Sequence, residues 1–362
     1  MRVKVPQRPL FRHLLFAALA AAVFLTYTAK TDAFTAYKLA GVAFFLVAIA
    51  GLNLLTGLSG QLSLGHGALM AIGAYTTALV LRNRAHFPIA AAIILAVVVT
   101  AAVGAFVGIA AARLRGPYLA GATLALAVGL PPLTTKYAGF FGGDQGISVR
   151  PLAPPAIGST FAPEQWLAWI SIIAALITLV LLANLQRSRF GRAFKCVRDN
   201  EIAAALSGIN VARTQVFAFV VSAACAGLAG SLLAFYAGLT APAGFSIVLS
   251  LQLLTAIVIG GLGSMTGSVL GAFALVYIPS WSDSLTSHFN LHSAVSDNIP
   301  AALYGGVLII AMLLFPGGIA GGLRKLKAML IRHLKGGRLH GASPEVLGAG
   351  SASVARAGKE EG

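Results

Sequence analysis

Residues 166–185 read WLAWISIIAALITLVLLANL, and residues 216–236 read VFAFVVSAACAGLAGSLLAFY. Neither run contains a charged side chain. Each is about 20 residues long, which as an α-helix is enough to cross a hydrocarbon core of about 30 Å. Between them, residues 191–209 read GRAFKCVRDNEIAAALSGI and hold five charged side chains. The chain is therefore predicted to cross a membrane on both sides of a charged segment that stays outside the lipid.

The composition supports this interpretation. Of 362 residues, 58% are hydrophobic and 10% are charged, whereas a soluble globular domain carries about 25% charged residues. The net charge of +16 does not indicate a nucleic-acid partner, because the basic residues lie between apolar runs and not along one stripe. The two cysteines are too few for a disulfide framework and fit no metal-ligand spacing. No metal or other cofactor is predicted for this chain.

The predicted fold class is an all-α polytopic membrane protein of about ten transmembrane helices with Gly-rich broken segments and cytoplasmic N- and C-termini. The candidate spans lie near residues 14–29, 36–56, 62–81, 88–111, 118–137, 166–185, 214–236, 250–263, 266–279 and 300–316. The two short spans around residue 264 allow two interpretations. They form either two complete crossings or a broken hairpin that does not cross fully.

The distribution of Lys and Arg sets the orientation, since cytoplasmic loops retain these residues. With the N-terminus inside, all but six of the 26 basic residues fall in cytoplasmic segments. The six that fall outside are Lys30, Lys38, Arg82, Arg84, Lys136 and Arg150. The charged segment is therefore predicted to be cytoplasmic.

The predicted organisation is a basic cytoplasmic N-terminus (1–13), a transmembrane domain (14–322) and a basic, partly disordered cytoplasmic tail (323–362). Residues 138–165 form the longest outer loop, whose Gly and Pro residues exclude long regular structure. Residues 186–213 form the cytoplasmic loop that carries the charged segment. The first span resembles a signal peptide without a convincing cleavage site, so it is interpreted as retained, with cleavage as the alternative.

Residues 200–208 are predicted to form one short helix within the charged segment. Asp199 or Asn200 can cap its N-terminus by accepting a backbone hydrogen bond. Glu201 lies in the first turn, where the helix dipole favours negative charge. Gly208 provides a stop.

The two faces of this short helix carry side chains of different size. Ile202, Leu206 and Ile209 follow the helical spacing i, i+4 and i+7 and form an apolar face. Residues 203–205 are all alanine and give a surface that another protein can approach closely. Two interpretations remain open: the helix docks into a partner protein, or it lies flat against the membrane.

Two glycine-rich stretches, 52–75 and 260–273, interrupt the apolar pattern. In the first, Ser59, Ser63 and His66 are predicted to share one helical face, following Asn53 and Thr56. Polar side chains inside a helix bundle usually face its interior or a water-filled path, and glycines permit close packing or a helix break. His66 taken alone is weak evidence, because a lone histidine is more often a hydrogen-bonded packing residue. The predicted translocation pathway comprises Asn53, Ser59, Gln61, Ser63, His66, Gly260, Gly261, Gly263 and Ser264.

The sequence contains no phosphate-binding loop of the type GxxxxGK[ST] and no HExxH pair. The apolar spans hold almost no ionisable residues, whereas ion-coupled transporters use such residues to bind the coupling ion. A transporter of this composition is expected to take its energy from a partner.

Five motifs occur in a fixed order: GLSGQLSLGHGALMAIGAY, LRGPYLAGATLALA, FGGDQGI, AAALSGINVARTQVFAFVVSAACAGLAG and GGLGSMTGSVLGAF. Together they resemble the permease subunit of bacterial branched-chain amino-acid ABC importers, specifically the member of the permease pair with the longer N-terminal half. The resemblance runs from about residue 36 to residue 322.

The resemblance implies a multi-pass protein of the bacterial cytoplasmic (inner) membrane, surrounded by lipid. Its implied partners are a second permease subunit in a heterodimer, two cytoplasmic ATPase subunits that bind the ATP, and a periplasmic or lipid-anchored solute-binding protein. It implies no ATPase site in this chain, and that the helix within 191–209 docks into an ATPase.

The residues that the resemblance assigns to ATPase coupling are Arg198, Asp199, Glu201, Ala203, Ala204, Leu206 and Gly208. In ABC importers this loop usually reads Glu-Ala-Ala, with a glycine four residues beyond the second alanine. Here Ala204 and Gly208 keep the small-residue part, but Ile202 occupies the glutamate position and Glu201 lies one residue early. A salt bridge from Glu201 to the ATPase is therefore not implied.

Three functions remain open at this point: an ABC importer permease, a self-contained channel or facilitator, and an intramembrane enzyme, which the lack of any paired catalytic constellation disfavours. The solute is also open between branched-chain amino acids and urea, short amides or other small organic molecules. Solute selection by a binding protein lies on another chain.

Overall fold

The computed structural model describes residues 9–84, 87–113, 117–152 and 162–288, together with residues 305, 306 and 321. The chain divides into two compact units, residues 1–320 and 321–362, and only Gly321 of the second unit is among the described residues. The predicted span 300–316, apart from residues 305 and 306, lies outside the described residues, as do the tail beyond residue 321 and residues 1–8.

The described chain is a helical bundle. Its helices are α1 (Pro9–Lys30), α2 (Ala33–Asn53, extended by a π-helical turn, Leu54–Leu58), α3 (His66–Asn83), α4 (Ile89–Ala111), α5 (Pro117–Lys136), α6 (Ala138–Phe141), α7 (Pro163–Arg187), α8 (Arg189–Asp199), α9 (Glu201–Leu206), α10 (Val211–Ala237), α11 (Ile247–Gly260) and α12 (Met265–His288). Two 3₁₀ turns, Gly143–Gln145 and Pro242–Phe245, and two strands, β1 (Ile147–Ser148) and β2 (Leu239–Thr240), complete it.

The all-α polytopic fold class is confirmed. Six segments in the described ranges are long and apolar enough to cross a membrane: Ala33–Leu58, Ile89–Ala111, Tyr118–Lys136, Pro163–Arg187, Val211–Ala237 and Pro242–Gly260. Two shorter apolar helical stretches, Ala18–Lys30 and Met265–Trp281, accompany them. The nine predicted spans before residue 280 each overlap one of the long helices.

Burial separates central helices from peripheral ones. In the most apolar stretch of α2, 89% of the residues are buried within the chain, whereas in the corresponding stretch of α4 only 28% are buried. Both stretches are strongly apolar, so hydropathy alone does not distinguish them. Helix α2 therefore lies at the centre of the bundle, and α4 presents most of its surface outward.

Small residues bring α3, α4 and α10 into close contact. A Cβ atom added to Gly73 would overlap the carbonyl oxygen of Gly227, and one added to Gly230 would overlap the carbonyl oxygen of Met70. On the other side of α10, a Cβ atom at Gly104 would overlap the Ala223 side chain. Close backbone approach through small residues is the usual packing mode of membrane helices, where lipid removes the hydrophobic force between them.

The bundle has two distinct ends. At one end, here called the charged end, the last turn of α2, helices α8 and α9 and the start of α10 meet. At the opposite end, β1 pairs with β2 in antiparallel fashion, with Ile147 opposite Thr240. This pairing joins the turns after α6 and α10, which the orientation rule assigns to the outer side. Residues 138–152 contain only short regular elements, and residues 153–161 lie outside the described part of the loop.

Two details of the sequence-based prediction are wrong. Residues 59–65 are not helical, so Ser59, Ser63 and His66 do not share a helical face. The chain leaves the helix because Gly60 adopts φ +76°, a left-handed conformation that glycine adopts without steric cost. In addition, the charged segment contains two helices, α8 and α9, and not one.

The close contact between α3 and α10 yields a stability prediction. Gly230→Ala should lower the thermal unfolding midpoint of the purified chain, since overpacking costs roughly 1–3 kcal/mol. Gly121→Ala on α5 is the matched control. A Cβ atom there meets no atom of the described part of the chain within 4 Å, and alanine favours the helix by about 1 kcal/mol. Equal midpoints for the two variants would contradict the close packing of α3 on α10.

Candidate functional site

Helix α8 is packed against the bundle. The Ser188 side chain caps it by accepting a hydrogen bond from the backbone N–H of Phe190 (3.2 Å). Phe194 is completely buried, and its ring lies 6.1 Å from the ring of Phe217 on α10. Sequence analysis missed this helix, although Phe190, Phe194 and Val197 follow the helical spacing i, i+4 and i+7. The charges between them obscured that signal.

Helix α9 has the predicted capping. Of the two cap candidates, Asn200 is the cap, because its Oδ1 accepts a hydrogen bond from the backbone N–H of Ala203 (3.0 Å). At the other end Gly208 adopts φ +81°, and the backbone N–H of Ile209 donates to the carbonyl of Ala204 (3.0 Å). The predicted helix and its glycine stop are confirmed.

The exposed face of α9 differs from the predicted one. Ile202 is 75% exposed and Leu206 is 86% exposed, whereas Ala204 is 3% exposed. The apolar face therefore points away from the chain, and Ala204 is buried within it, because the short helix needs a small residue where it rests on its own chain. Ala203 and Ala205 are exposed beside the apolar pair. The expectation that Ala204 presents itself to a partner is wrong.

The two predicted glycine-rich stretches contain breaks at residues 59–65 (the first break) and 261–264 (the second break), and Asn53 joins the end of α2 to the second break. Its Oδ1 accepts a hydrogen bond from the backbone N–H of Gly263 (2.7 Å). Its Nδ2 donates to the carbonyl of Ser264 (2.9 Å) and to the hydroxyl of Ser268 (2.9 Å). Asn53 is 3% exposed, so these bonds form away from water, where an unpaired polar group is costly.

Backbone lies directly against backbone where the last turn of α2 meets the second break. A Cβ atom at Gly57 would overlap the backbone nitrogen of Gly263 and the side chain of Asn53. Gly261 and Gly263 have φ +113° and φ +73°, values that side chains with a Cβ rarely adopt. We call this contact, formed by Gly57, Gly263 and Asn53, the glycine crossing. It confirms that residues 260–273 are not one continuous helix.

The charged segment bonds directly to the glycine crossing. The Arg198 guanidinium donates through one terminal nitrogen to the carbonyl of Gly57 (2.8 Å), and through Nε and the other terminal nitrogen to Asp199 Oδ1 (3.0 and 2.8 Å). Gln186 Nε2, at the end of α7, donates to the carbonyl of Gly263 (3.3 Å). Arg198 and Asp199, which the resemblance assigns to ATPase coupling, form an ion pair with side chains 40% and 65% exposed, and the Arg198 guanidinium also bonds to its own chain.

A further route connects α9 to the first break. The Glu201 carboxylate accepts a hydrogen bond from Gln215 Nε2 (2.9 Å). The backbone carbonyl of Gln215 accepts one from Gln61 Nε2 (3.2 Å), and the same Gln61 nitrogen donates to the Ser59 hydroxyl (2.7 Å). Glu201 is thus engaged by Gln215 within the chain.

The remaining candidate pathway residues are packed inside the chain. Ser63 and His66 are completely buried, and Ser59, Gln61 and Ser264 are at most 9% exposed. His66 Nε2 lies 3.1 Å from the carbonyl of Ala48 on α2, which is the packing role left open above. Gly260 lies against Gly267, where α11 and α12 turn back on each other. Asn53, Gly263 and Ser264 are brought together, Ser59 and Gln61 form a second pair, and His66 bonds elsewhere.

The comparisons with known proteins place these features in a family. Residues 34–315 match the family described as the permease component of branched-chain amino acid transport systems. The chain belongs to this permease family. It is 32% identical over 298 residues to the high-affinity branched-chain amino acid transport system permease protein LivM of Salmonella typhimurium, covering 76% of this chain and 67% of the relative.

Further relatives agree with this assignment. The LivM permease of Escherichia coli K12 is likewise 32% identical over 298 residues, covering 76% of this chain and 67% of that protein. The LivH permease of Salmonella typhimurium is 26% identical over 296 residues, covering 78% of this chain and 92% of LivH. Among solved structures, the chain is similar to PsaBC of Streptococcus pneumoniae in complex with Fab, with a TM-score of 0.41, 14% identity and coverage of 84% of this chain and 99% of that one. This permease is a multi-pass membrane protein.

The hydrogen bonds of Asn53 in this permease yield a second prediction. Asn53→Leu removes the partner of the Gly263 N–H, and a buried unpaired group costs roughly 1–3 kcal/mol. The thermal unfolding midpoint of the purified chain should therefore fall. Thr56→Val, three residues along the same segment, is the control, because the buried Thr56 hydroxyl has no hydrogen-bond partner among the described residues. That variant should unfold at or above the midpoint of the native chain. A midpoint for Asn53→Leu that matches Thr56→Val would contradict a stabilising role of the crossing.

Proposed function

We propose that this chain is the transmembrane permease subunit of an ATP-binding-cassette importer that moves small aliphatic amino acids, with leucine, isoleucine and valine as the substrates, into the cytoplasm. It does so as a heterodimer with a second permease, driven by two cytoplasmic ATPase subunits and loaded by an external solute-binding protein. The proposal needs no catalytic group and no cofactor in this chain, since the ATP is bound by the partners. Family membership supports the substrate class.

The observation that carries the proposal is the exposed apolar face of α9. Ile202 and Leu206 are 75% and 86% exposed on a helix that is capped at both ends. Their neighbours Ala203 and Ala205 add no bulk. A rigid helix with two protruding aliphatic side chains suits insertion into a hydrophobic groove of a partner, in which such side chains act as anchors. The partner proposed for this groove is the ATPase.

Charge changes at Leu206 separate docking from adsorption to lipid. In the assembled complex, Leu206→Asp and Leu206→Lys should each reduce co-purification of the ATPase by tenfold or more, because both place a charge in an apolar groove, where about 1.4 kcal/mol corresponds to each tenfold. If α9 lay flat on an anionic leaflet, Leu206→Lys would retain binding and Leu206→Asp alone would lose it.

Leu239→Asp provides the control for these variants. Leu239 is 44% exposed in strand β2, at the opposite end of the bundle, so the ATPase should co-purify at the native level. Ala204 is not a suitable probe of docking. It is buried, and a larger residue there would disturb the seat of α9 on its own chain.

Substrate and energy source are tested together by reconstitution in liposomes. The four-part complex, with binding protein outside and ATP inside, should take up radiolabelled leucine, isoleucine and valine, and unlabelled urea or acetamide should not compete. Uptake should stop when the ATPase subunits are left out. Leucine or urea flux through the permease pair without ATPases would support a channel and contradict the proposal.

A further inference from the structure

We propose that the glycine crossing closes the cytoplasmic end of the solute path in this chain, and that Arg198 and Gln186 are the positioning residues through which the charged segment controls that closure. The inference rests on the proposed function and extends it, because it specifies which contact in the permease responds to movement of the ATPase. It differs from transmission along the covalent chain from α9 into α10, which would need none of these contacts.

The crossing suits a closure that opens repeatedly. Gly57 and Gly263 meet backbone to backbone, with no side chain of their own between them. Two such segments can separate without repacking of large side chains. The bonds of Asn53 that must be exchanged on separation are those with Gly263, Ser264 and Ser268, and water entering an opened path can replace each of them.

Arg198 connects helix α8 to the first segment of the crossing, the last turn of α2, which contains Gly57. The guanidinium donates to the carbonyl of Gly57 (2.8 Å), while the side-chain stem rests against Gly60, where a Cβ atom would lie 2.7 Å from Arg198 Cγ. Asp199 holds the same guanidinium from the other side. A planar group fixed at three donors has a defined direction, so displacement of α8 is passed to the carbonyl of Gly57.

Gln186 connects the second segment of the crossing, which contains Gly263, to the junction between α7 and α8. Its Nε2 donates to the carbonyl of Gly263 (3.3 Å), and only Ser188 separates α7 from α8. The two segments of the crossing are therefore held from the two sides of one helix junction. A change in the angle between α7 and α8 would pull Gly57 and Gly263 in different directions, whereas joint movement of both helices would leave them in contact.

Helix α9 is coupled to this junction at short range. Asn200, the residue between α8 and α9, caps α9 and directly follows Asp199, the partner of Arg198. In addition, Gln215 connects Glu201 to Gln61 in the first break. A force applied at Ile202 and Leu206 is therefore transmitted toward the crossing by two routes. One runs through Asn200, the single residue between α8 and α9, to the hydrogen bonds of Arg198. The other runs through the hydrogen bonds of Gln215.

The experiment compares solute uptake per ATP hydrolysed in the reconstituted four-part complex. Arg198→Gln should lower this ratio about tenfold, which corresponds to one charged hydrogen bond, and Arg198→Lys should restore part of it because an ammonium can still reach the carbonyl of Gly57. Lys195→Gln removes the same charge from an exposed position of α8 and should keep the native ratio. A merely structural role of Arg198 would lower assembly and leave the ratio of the assembled complex unchanged.

Hydrogen exchange gives a readout that does not depend on transport. In the purified permease pair, the amide of Gly263 should be protected in the native protein and should exchange faster in Arg198→Gln, while Lys195→Gln should match the native protein. An unchanged transport ratio in Arg198→Gln, with the ATPase still bound, would overturn this inference and leave the proposed function intact. If the native chain binds no ATPase, the proposed function fails, and unchanged exchange at Gly263 in Arg198→Gln would then overturn the closure as well.

Discussion

The bonds of Asn53 to Gly263 and Ser264 are the interaction on which the charged end of the bundle depends. A helix that breaks near a membrane leaves backbone N–H and C=O groups without their helical partners, and lipid offers no replacement. The residues between α11 and α12 break in this way, and the end of α2 supplies groups that pair with them. Asn53, a carboxamide with both donors and an acceptor, does so from one buried position. Without it, the backbone N–H of Gly263 and the carbonyl of Ser264 would lose these partners.

Small residues allow close packing of the helices in the rest of the bundle. Helix α10 contacts α3 and α4 through Gly73, Gly104, Gly227 and Gly230, so that three helices approach closely without large side chains between them. Close contact compensates for the missing hydrophobic force between helices in lipid. Helix α2 is central because the contacts of α7, α10, α11 and α12 converge on it.

The charged segment belongs to this architecture and is not a loose connection between two spans. Its first helix is anchored by Phe194 in the core and by Arg198 at Gly57, and its second helix stands on Ala204 with Ile202 and Leu206 exposed. Arg198 reaches inward to the carbonyl of Gly57, while two aliphatic side chains of α9 face outward. The exposed aliphatic pair indicates a surface for a partner, and the hydrogen bond of Arg198 connects the segment to the glycine crossing.

The sequence by itself determined the membrane class, the positions of the long helices, the capped helix at 200–208 and the break within 260–273. These features depend on hydropathy, on cap chemistry and on glycine φ angles, which are properties of neighbouring residues and can be read along the chain. The resemblance in five motifs added the permease family, which the comparisons confirmed.

Only the tertiary structure decided which side of each element packs against the chain and which side is exposed. Ala204 looked exposed and is buried, Ser59 and Ser63 were expected on a helix and lie in a break, and Arg198 was assigned to a partner and bonds to Gly57. Helix α8 was overlooked because its buried positions alternate with charges. For Arg198 and for helix α8 the physical reason is the same: the partner of the side chain is a backbone carbonyl or a packed helix far along the chain. A carbonyl group is present in every residue, so no pattern of side chains marks the one that will be bound.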